Sequence, residues 1–267
     1  MIKNKEIIES QGITGSHGFI GGHLFNRCPS PVRLKRDGKV PKKVTRVFDL
    51  SGYGNKFDQT DAEEMYVANV DRVLTLLKNS IGKKSVVLTS TSSVLLPIQT
   101  NYSRSKYMME ELAKKWVKET KENVVIVRPS TVIGIGENPQ HLIPKLIHSC
   151  MTGEEMDFVG EPTHDFIDVN DFVNGMIFIS DLADKYKGHI FNISFGVSVP
   201  NEFVKDVVED ITKRRANIKR VKSLRPYDTT KWNVNNDKIR ALGWRPTKLL
   251  WDTIKDMVED YKLKNVQ

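Results

Sequence analysis

Two side chains that could carry out chemistry, Tyr102 and Lys106, stand four residues apart at the start of a predicted helix. This spacing places both side chains on one face of the helix. A phenol has an ordinary pKa near 10, and we expect a nearby ammonium to stabilise the phenolate and lower that pKa. Tyr102 can then exchange a proton with a carbonyl or alcohol oxygen of a substrate. The alternative interpretation is a solvated tyrosine on an ordinary amphipathic helix.

A run of hydroxyl side chains, from Thr89 to Ser93, precedes this helix and overlaps the end of a predicted strand, Ser85–Ser90. Open α/β sheets bind ligands at the carboxyl ends of their strands. We therefore expect Thr91 or a neighbouring serine to hydrogen-bond the same substrate oxygen. A second Tyr-x-x-x-Lys pair, Tyr227 with Lys231, has no buried strand before it, and we interpret it as structural.

Three glycines with three-residue spacing stand near the N-terminus, in GITGSHGFIGGHL. In dinucleotide folds such glycines permit a tight turn, let the backbone approach a pyrophosphate, and let the next helix pack on the strand. The spacing alone is a weak signal. Its position before a predicted helix favours a cofactor turn made of Gly15, Ser16, His17, Gly18, Phe19, Ile20 and Gly21.

The order of apolar patterns predicts an α/β fold. SVVLTS and NVVIVRPS are continuous Val/Ile/Leu runs, typical of strands buried on both faces of a parallel sheet, and a helical pattern separates them. We predict a doubly wound parallel Rossmann sheet with a smaller C-terminal lobe. The predicted dinucleotide-binding domain comprises residues 1–133 plus 167–195. The predicted substrate-binding lobe comprises residues 134–166 plus 196–267.

The composition of the 267 residues is that of an ordinary globular protein, with a formal net charge of +8 spread over short Lys/Arg groups. We expect a solvated basic surface or an anionic small-molecule ligand, and no nucleic-acid partner, because no standard nucleic-acid motif occurs. Cys28 and Cys150 have no zinc-ligand spacing, so no metal site is expected. No apolar run approaches a signal peptide or a membrane span, which predicts a cytoplasmic protein.

These motifs resemble the extended short-chain dehydrogenase/reductase superfamily, in the branch of nucleotide-sugar epimerases, dehydratases and reductases. The similar segments are TGSHGFIGGHL, VANVDRVLTLL, STSSV with YSRSK, VVIVRPSTVIG, and RPYDTTKWNVNNDKIRALGWRP. The resemblance implies that Thr91, Tyr102 and Lys106 are catalytic. It also implies a homodimer through the helix that bears Tyr102. Beyond the turn, it implies cofactor contacts from Leu50, Ser51, Asn69, Thr89, Tyr102, Lys106, Arg128 and Pro129, and contacts to a nucleotide-diphosphate sugar from Thr91, Ser92, Thr131 and Arg225.

Departures from the family pattern narrow the implied activity. Dehydratases of this family place Asp-Glu after the catalytic hydroxyl, where this chain has Ser92 and Ser93, and the epimerase-reductases that make GDP-fucose have cysteine in place of Ser93. Of the reactions of this family, hydride transfer at C4 of a sugar remains possible for this chain. The resemblance thus implies an NADP-dependent oxidoreductase that reduces a nucleotide-linked 4-keto (6-deoxy) sugar, as in polysaccharide biosynthesis. The alternatives are an NAD-dependent nucleotide-sugar 4-epimerase and, from another class, a non-catalytic dinucleotide sensor or RNA-binding relative.

The choice of cofactor depends on the end of the second strand, in VRLKRDG. Basic residues there, Lys35 and Arg36, favour NADP, whereas an acid would favour NAD. The alternative is an exposed basic pair. Only seven residues, Asp37 to Lys43, separate this strand from VTRVFDLSGYG, which resembles the family's fourth strand. Seven residues reach at most about 25 Å. If VTRVFD were instead the second strand, Asp49 would be the acid and NAD the cofactor.

Overall fold

The computed structural model describes residues 9–35, 37–56, 58–223, 225, 228 and 232–265. The strands are β1 (Ser10–Ile13), β2 (Pro31–Arg33), β3 (Val44–Asp49), β4 (Ser85–Thr89), β5 (Val124–Pro129), β6 (Thr131–Ile133), β7 (Met156–Phe158), β8 (Thr163–Asp168), β9 (Ile190–Ile193), β10 (Ser198–Pro200) and β11 (Ile218–Arg220). The helices are α1 (Phe19–Arg27), α2 (Ala62–Tyr66), α3 (Arg72–Lys78), α4 (Asn101–Thr120), α5 (Leu142–Thr152), α6 (Val169–Asp181), α7 (Asn201–Thr212), α8 (Asp237–Arg240) and α9 (Leu250–Asn265). A π-helical segment, Val67–Asp71, joins α2 to α3.

A six-stranded sheet forms the centre of the fold, in the order β2-β1-β3-β4-β5-β9. The pairs from β2 to β5 are all parallel. Strand β4 is buried along its whole length, and β5 is buried over its first four residues, as their continuous apolar runs predict. The predicted α/β class with a parallel central sheet is therefore confirmed.

The short connection from β2 to β3 takes the chain from one side of β1 to the other. Strand β3 pairs with β1 on one edge and with β4 on the other, while β2 pairs with the opposite edge of β1. The alternative assignment of VTRVFD as the second strand is therefore wrong. A connection between parallel strands must run back along the strand as well as cross β1. Because β2 has only three residues, this return is short, and the chain between Leu34 and Lys43 is long enough for it. Val40 in this crossing packs against the core.

The chain divides into two compact units. Unit 1 contains the residues up to Val94, Gln99–Arg128 and Met176–Phe191, and unit 2 contains Leu95–Ile98, Pro129–Gly175 and the chain from Asn192 onward. Residues 129–133, 167–175 and 192–195, which the sequence analysis assigned to the dinucleotide-binding domain, thus fall in unit 2. Strand β8 pairs with β6 and β10 in a three-stranded sheet, and β7 pairs with β11.

In the part of the chain that the structure describes, no helix has both the length and the apolar character required to cross a bilayer.

Candidate active site

The glycine turn between β1 and α1 excludes side chains at two positions. Gly15 has a φ of +63°, and a Cβ there would lie 2.3 Å from the carbonyl oxygen of Leu50. A Cβ on Gly21 would lie 2.1 Å from the carbonyl oxygen of Gly15, which brings α1 close to the turn. Gly18 is the N-cap of α1 and provides no side-chain cap. The turn is therefore tight, and the first N–H groups of α1, which have no partner within the helix, could bind a phosphate group.

A cation that the sequence analysis did not select lies against this turn. Arg33, the last residue of β2, donates to the backbone oxygen and to the hydroxyl of Ser16, each at 3.2 Å. Its guanidinium also lies 3.4 Å from Nδ1 of His17 and 4.0 Å from the centre of the Phe25 ring. The signal that could have identified Arg33 is its position at the end of the second strand, two residues before Lys35.

The other predicted turn and strand-end residues have these positions. Phe19 and Ile20 open α1. Lys35 is exposed and lines a small pocket together with Asp49. Arg36 lies outside the described residues. Leu50 donates its N–H to the Thr14 hydroxyl at 3.0 Å.

Tyr102 meets Thr91 at the end of β4. Helix α4 begins at Asn101 after a capping box between Thr100 and Ser103, which fixes the first turn that carries Tyr102. The side chain of Thr91 lies beside the Tyr102 hydroxyl and lowers the pKa of that phenol. Among the run of hydroxyls, the structure thus brings Thr91 to the tyrosine.

The neighbouring hydroxyl residues have other surroundings. Ser93 Oγ lies 3.0 Å from Oγ1 of Thr91. Ser92, which was predicted to contact substrate, is buried at the start of a short 3-10 helix, Ser92–Leu95. The carbonyl oxygen of Thr89 accepts a hydrogen bond from Nζ of Lys106 at 2.8 Å. Thr89 is therefore tied to α4 through its backbone.

The pKa of Tyr102 moves in the direction opposite to the prediction. Burial raises the pKa of Tyr102 to about 12, and the side chain of Thr91 opposes this increase only in part. Burial also lowers the pKa of Lys106, while the charges of Asp49 and Glu110 oppose that decrease. The prediction that Lys106 lowers the pKa of Tyr102 is wrong, because burial outweighs any stabilisation of the phenolate. Tyr102 is a neutral hydroxyl that can donate a proton.

A glycine-containing loop after β3 packs over the two candidate catalytic side chains. A Cβ on Gly52 would lie 3.0 Å from Nζ of Lys106, and a Cβ on Gly54 would lie 3.0 Å from Cδ2 of Tyr102. Asn69, in the π-helical segment, accepts a hydrogen bond from the N–H of Tyr53 at 3.0 Å. Its amide nitrogen donates to the carbonyl of Tyr53 at 2.8 Å and to the hydroxyl of Ser105 at 2.9 Å. These three bonds of Asn69, a predicted cofactor contact, tie the loop to α4.

A buried carboxylate that the sequence analysis missed lies one helical turn after Lys106. Glu110 is fully buried and accepts a hydrogen bond from the Ser90 hydroxyl at 2.6 Å. Arg128 donates to the two oxygens of Glu110 at 2.7 and 2.5 Å. The guanidinium of Arg128, which was predicted to contact the cofactor, therefore forms a bidentate ion pair inside unit 1. The four-residue spacing from Lys106 is the signal that could have identified Glu110.

Unit 2 contains the remaining predicted site residues. Pro129 ends β5, and Thr131 begins β6, where it pairs with Phe166 of β8. Arg225 is exposed, and its N–H donates to the hydroxyl of Ser223 at 3.1 Å. Tyr227 and Lys231, which form the second Tyr-x-x-x-Lys pair, lie outside the described residues.

Comparisons with known proteins identify relatives of this chain. An Escherichia coli dTDP-4-dehydro-6-deoxyglucose reductase is 31% identical over 186 residues, which cover 66% of this chain and 56% of that protein. The first curated relatives are longer, and the chain spans between 25% and 52% of their lengths.

Solved structures share the fold. MoeE5 in complex with UDP-glucuronic acid and NAD aligns with a TM-score of 0.85 at 21% identity, over 96% of this chain and 100% of that chain. RMD from Pseudomonas aeruginosa complexed with NADPH aligns with a TM-score of 0.80 at 17% identity, over 97% of this chain and 99% of that chain.

The family profile described as "NAD dependent epimerase/dehydratase family" matches residues 38–194, which is more than half of the chain. The matched range includes β3, the hydroxyl run and the whole of α4. The protein therefore belongs to the NAD-dependent epimerase/dehydratase family.

Proposed function

We propose that this chain reduces a nucleotide-linked 4-keto (6-deoxy) sugar, with NADPH as the hydride donor and Tyr102 as the general acid. The position of Thr91 beside the Tyr102 hydroxyl carries the proposal, because one carbonyl oxygen could accept hydrogen bonds from both of these hydroxyls. The likeness to the Escherichia coli reductase supports the same reaction.

The glycine turn fits a dinucleotide. Side chains at Gly15 and Gly21 would collide with the backbone of Leu50 and of Gly15, so the turn can remain tight only with glycine there, and the N-terminus of α1 has no side-chain cap. Arg33 and Lys35 place positive charge beside the turn, which favours the additional phosphate of NADP. The NADPH complex of the Pseudomonas aeruginosa relative supports this choice.

In the proposed reaction, residues of unit 1 have separate roles at the carbonyl group of the substrate. NADPH, when bound, supplies the hydride for the carbonyl carbon. Tyr102 donates its hydroxyl proton to the carbonyl oxygen, and Thr91 donates a hydrogen bond that holds this oxygen in place. The Lys106 ammonium provides positive charge near the phenolate that Tyr102 leaves. Ser92 and Ser93 provide no acid or base for elimination, so reduction of the ketone is the step that these residues can support.

A second candidate is a nucleotide-sugar 4-epimerase that retains NAD. The structural likeness to a protein that holds UDP-glucuronic acid and NAD favours it. An epimerase oxidises and then reduces the same carbon, so the purified protein should carry bound nicotinamide and consume none. A reductase should consume one NADPH for each ketone reduced.

The test is an assay of NADPH oxidation with a panel of nucleotide-linked 4-keto-6-deoxy sugars. The variant Tyr102→Phe should lose about 100-fold to 10,000-fold in kcat, because it retains the ring and loses the proton donor. Tyr107→Phe is the matched control, since Tyr107 is an exposed tyrosine on the same helix, and it should retain wild-type kcat. Wild-type protein that oxidises no NADPH with any of these sugars, or equal rates for both variants, would contradict the proposal.

A further inference from the structure

Asp49 is a buried carboxylate next to the glycine turn that none of the steps above uses. It ends β3 and is only 4% exposed. Its Oδ1 accepts a hydrogen bond from the Thr14 hydroxyl and another from the Ser51 hydroxyl at 2.8 Å. Both donors are neutral, so they hold the carboxylate in place without cancelling its charge.

The end of β3 brings Asp49 close to Lys106. Asp49 pairs in register with Leu88, and the next residue, Thr89, accepts the hydrogen bond from the Lys106 ammonium at 2.8 Å. Three residues after Asp49, the backbone of Gly52 packs directly over the same ammonium. Lys106 is only 4% exposed. A buried ammonium needs a nearby negative charge to remain protonated.

The other acid near Lys106 is already neutralised. Glu110, on the same helix, forms the bidentate ion pair with Arg128. In contrast, the Asp49 carboxylate has no direct ion pair within 4.0 Å among the described residues, so its charge acts on Lys106 across a longer distance. The remaining titratable or charged groups around the pair are Tyr102, which is neutral, and Lys35 and Arg72, which line the small pocket with Asp49. Arg72 forms its own ion pair with Glu64 at 2.8 Å.

We propose that Asp49 is the counter-ion of Lys106 and a positioning residue for it. The negative charge of Asp49 keeps the buried lysine as an ammonium ion, and the hydrogen bond from Thr14 fixes that charge against the glycine turn. The balance of effects on Lys106 agrees with this role: burial lowers its pKa, and Asp49 opposes the decrease more strongly than Glu110 does. The charge pairing stands on the fold alone. The further claim, that this charge pairing assists the reaction at Tyr102, rests on the proposed function.

The direct test is the pKa of Lys106, measured by NMR titration of protein with labelled lysine side chains, without cofactor or substrate. The Lys106→Arg variant identifies the resonance. Asp49→Asn retains an oxygen that can accept from Thr14 and removes the charge, so the pKa of Lys106 should fall by about one pH unit or more. Asp184→Asn, which changes an exposed acid of unit 1, should leave it unchanged. An equal pKa of Lys106 in both variants would overturn the proposal.

A second variant covers the case in which Asp49→Asn does not fold. Loss of one partner leaves an uncompensated buried charge, and loss of both does not. Asp49→Asn combined with Lys106→Met should therefore unfold at a higher temperature than Asp49→Asn alone. A double variant that is no more stable than Asp49→Asn would contradict the pairing.

The two proposals can fail separately. If the wild type reduces no keto sugar and Asp49→Asn still lowers the pKa of Lys106, the pairing stands and the proposed function falls. If Asp49→Asn loses activity without a change in the pKa of Lys106, the pairing is wrong and the proposed function is unaffected.

Discussion

The surroundings of Glu110 in unit 1 and strand β8 in unit 2 both contain titratable side chains that are affected by burial, and the two regions differ in whether these side chains are ion-paired. In unit 1, Glu110 is fully buried and remains paired with Arg128 through two hydrogen bonds. In unit 2, His164 of β8 packs against the rings of Phe166 and Trp232, and burial lowers its pKa to about 4. The next residue, Asp165, has a pKa that burial raises to about 6.

The difference between the two regions is that buried charges are compensated by ion pairs near Tyr102 and are disfavoured on β8. In unit 1, ion pairing and hydrogen bonds compensate the desolvation of the charged groups beneath Tyr102. On β8, burial favours the neutral form of each group, so His164 is neutral near neutral pH, whereas Asp165 is neutral only below a pH of about 6. The first arrangement retains charges that act on Lys106, and the second retains no charge on His164.

The largest expected effect comes from breaking the ion pair in unit 1. Glu110→Gln leaves the mostly buried Arg128 without a carboxylate and should lower the free energy of unfolding by about 3 kcal/mol. The adjacent variant Glu111→Gln removes an exposed acid that pairs with Lys114, and it should cost less than about 0.5 kcal/mol. Urea unfolding at neutral pH measures both values. Similar losses for the two variants would show that Glu110 has no special role.

The pH dependence of stability tests the neutral histidine in unit 2. Because the pKa of His164 falls from about 6.5 in the unfolded chain to about 4 in the folded chain, its contribution is complete above pH 6.5. That contribution is lost as the pH falls through 4, because only the unfolded chain readily takes up the proton.

His164→Phe provides a ring that does not titrate. From pH 7 to pH 4, the free energy of unfolding of the wild type should fall by about 2 to 3 kcal/mol relative to that of this variant. Asp165 contributes with the opposite sign, since its raised pKa makes stability fall as the pH rises through 6, but it is present in both proteins. A constant difference across this range would mean that His164 is as easily protonated as in water.

The smallest expected effect concerns the rate of reduction under the proposed function. With a pKa of about 12, Tyr102 stays protonated at all ordinary pH values and can donate its proton throughout. At saturating substrate and cofactor, kcat should change by less than about twofold between pH 6 and pH 8. A decline centred in this range would indicate a tyrosine whose pKa has been lowered, as the sequence alone suggested.

Several features of the fold could be predicted because they are encoded in contiguous residues. Continuous Val/Ile/Leu runs identified β4 and β5, and the helical stripe between them identified α4. The glycine spacing indicated a turn, and the geometry of Gly15 and Gly21 explains why no other residue fits there. The role of Tyr102 in catalysis stays a prediction until it is measured.

The domain boundaries and the crossing from β2 to β3 were harder to predict because contacts between distant residues decide them. A three-residue strand such as β2 gives almost no periodic signal. The sequence analysis assigned residues 167 and 168, at the end of β8, to the dinucleotide-binding domain, and β8 pairs with β6 and β10 outside the six-stranded sheet. Local propensity does not specify the strand with which a given strand pairs.

The sequence by itself determined the α/β class, the glycine turn, and the presence of a tyrosine and a lysine on one helix face after a hydroxyl-rich strand end. Only the tertiary structure decided which groups stay charged. The pKa of Tyr102 depends on burial, and the pKa of Lys106 depends on burial and on Asp49, which is more than fifty residues away in the chain. The physical reason is that desolvation and Coulomb interactions act through space, so their sign and size at a site depend on the folded surroundings.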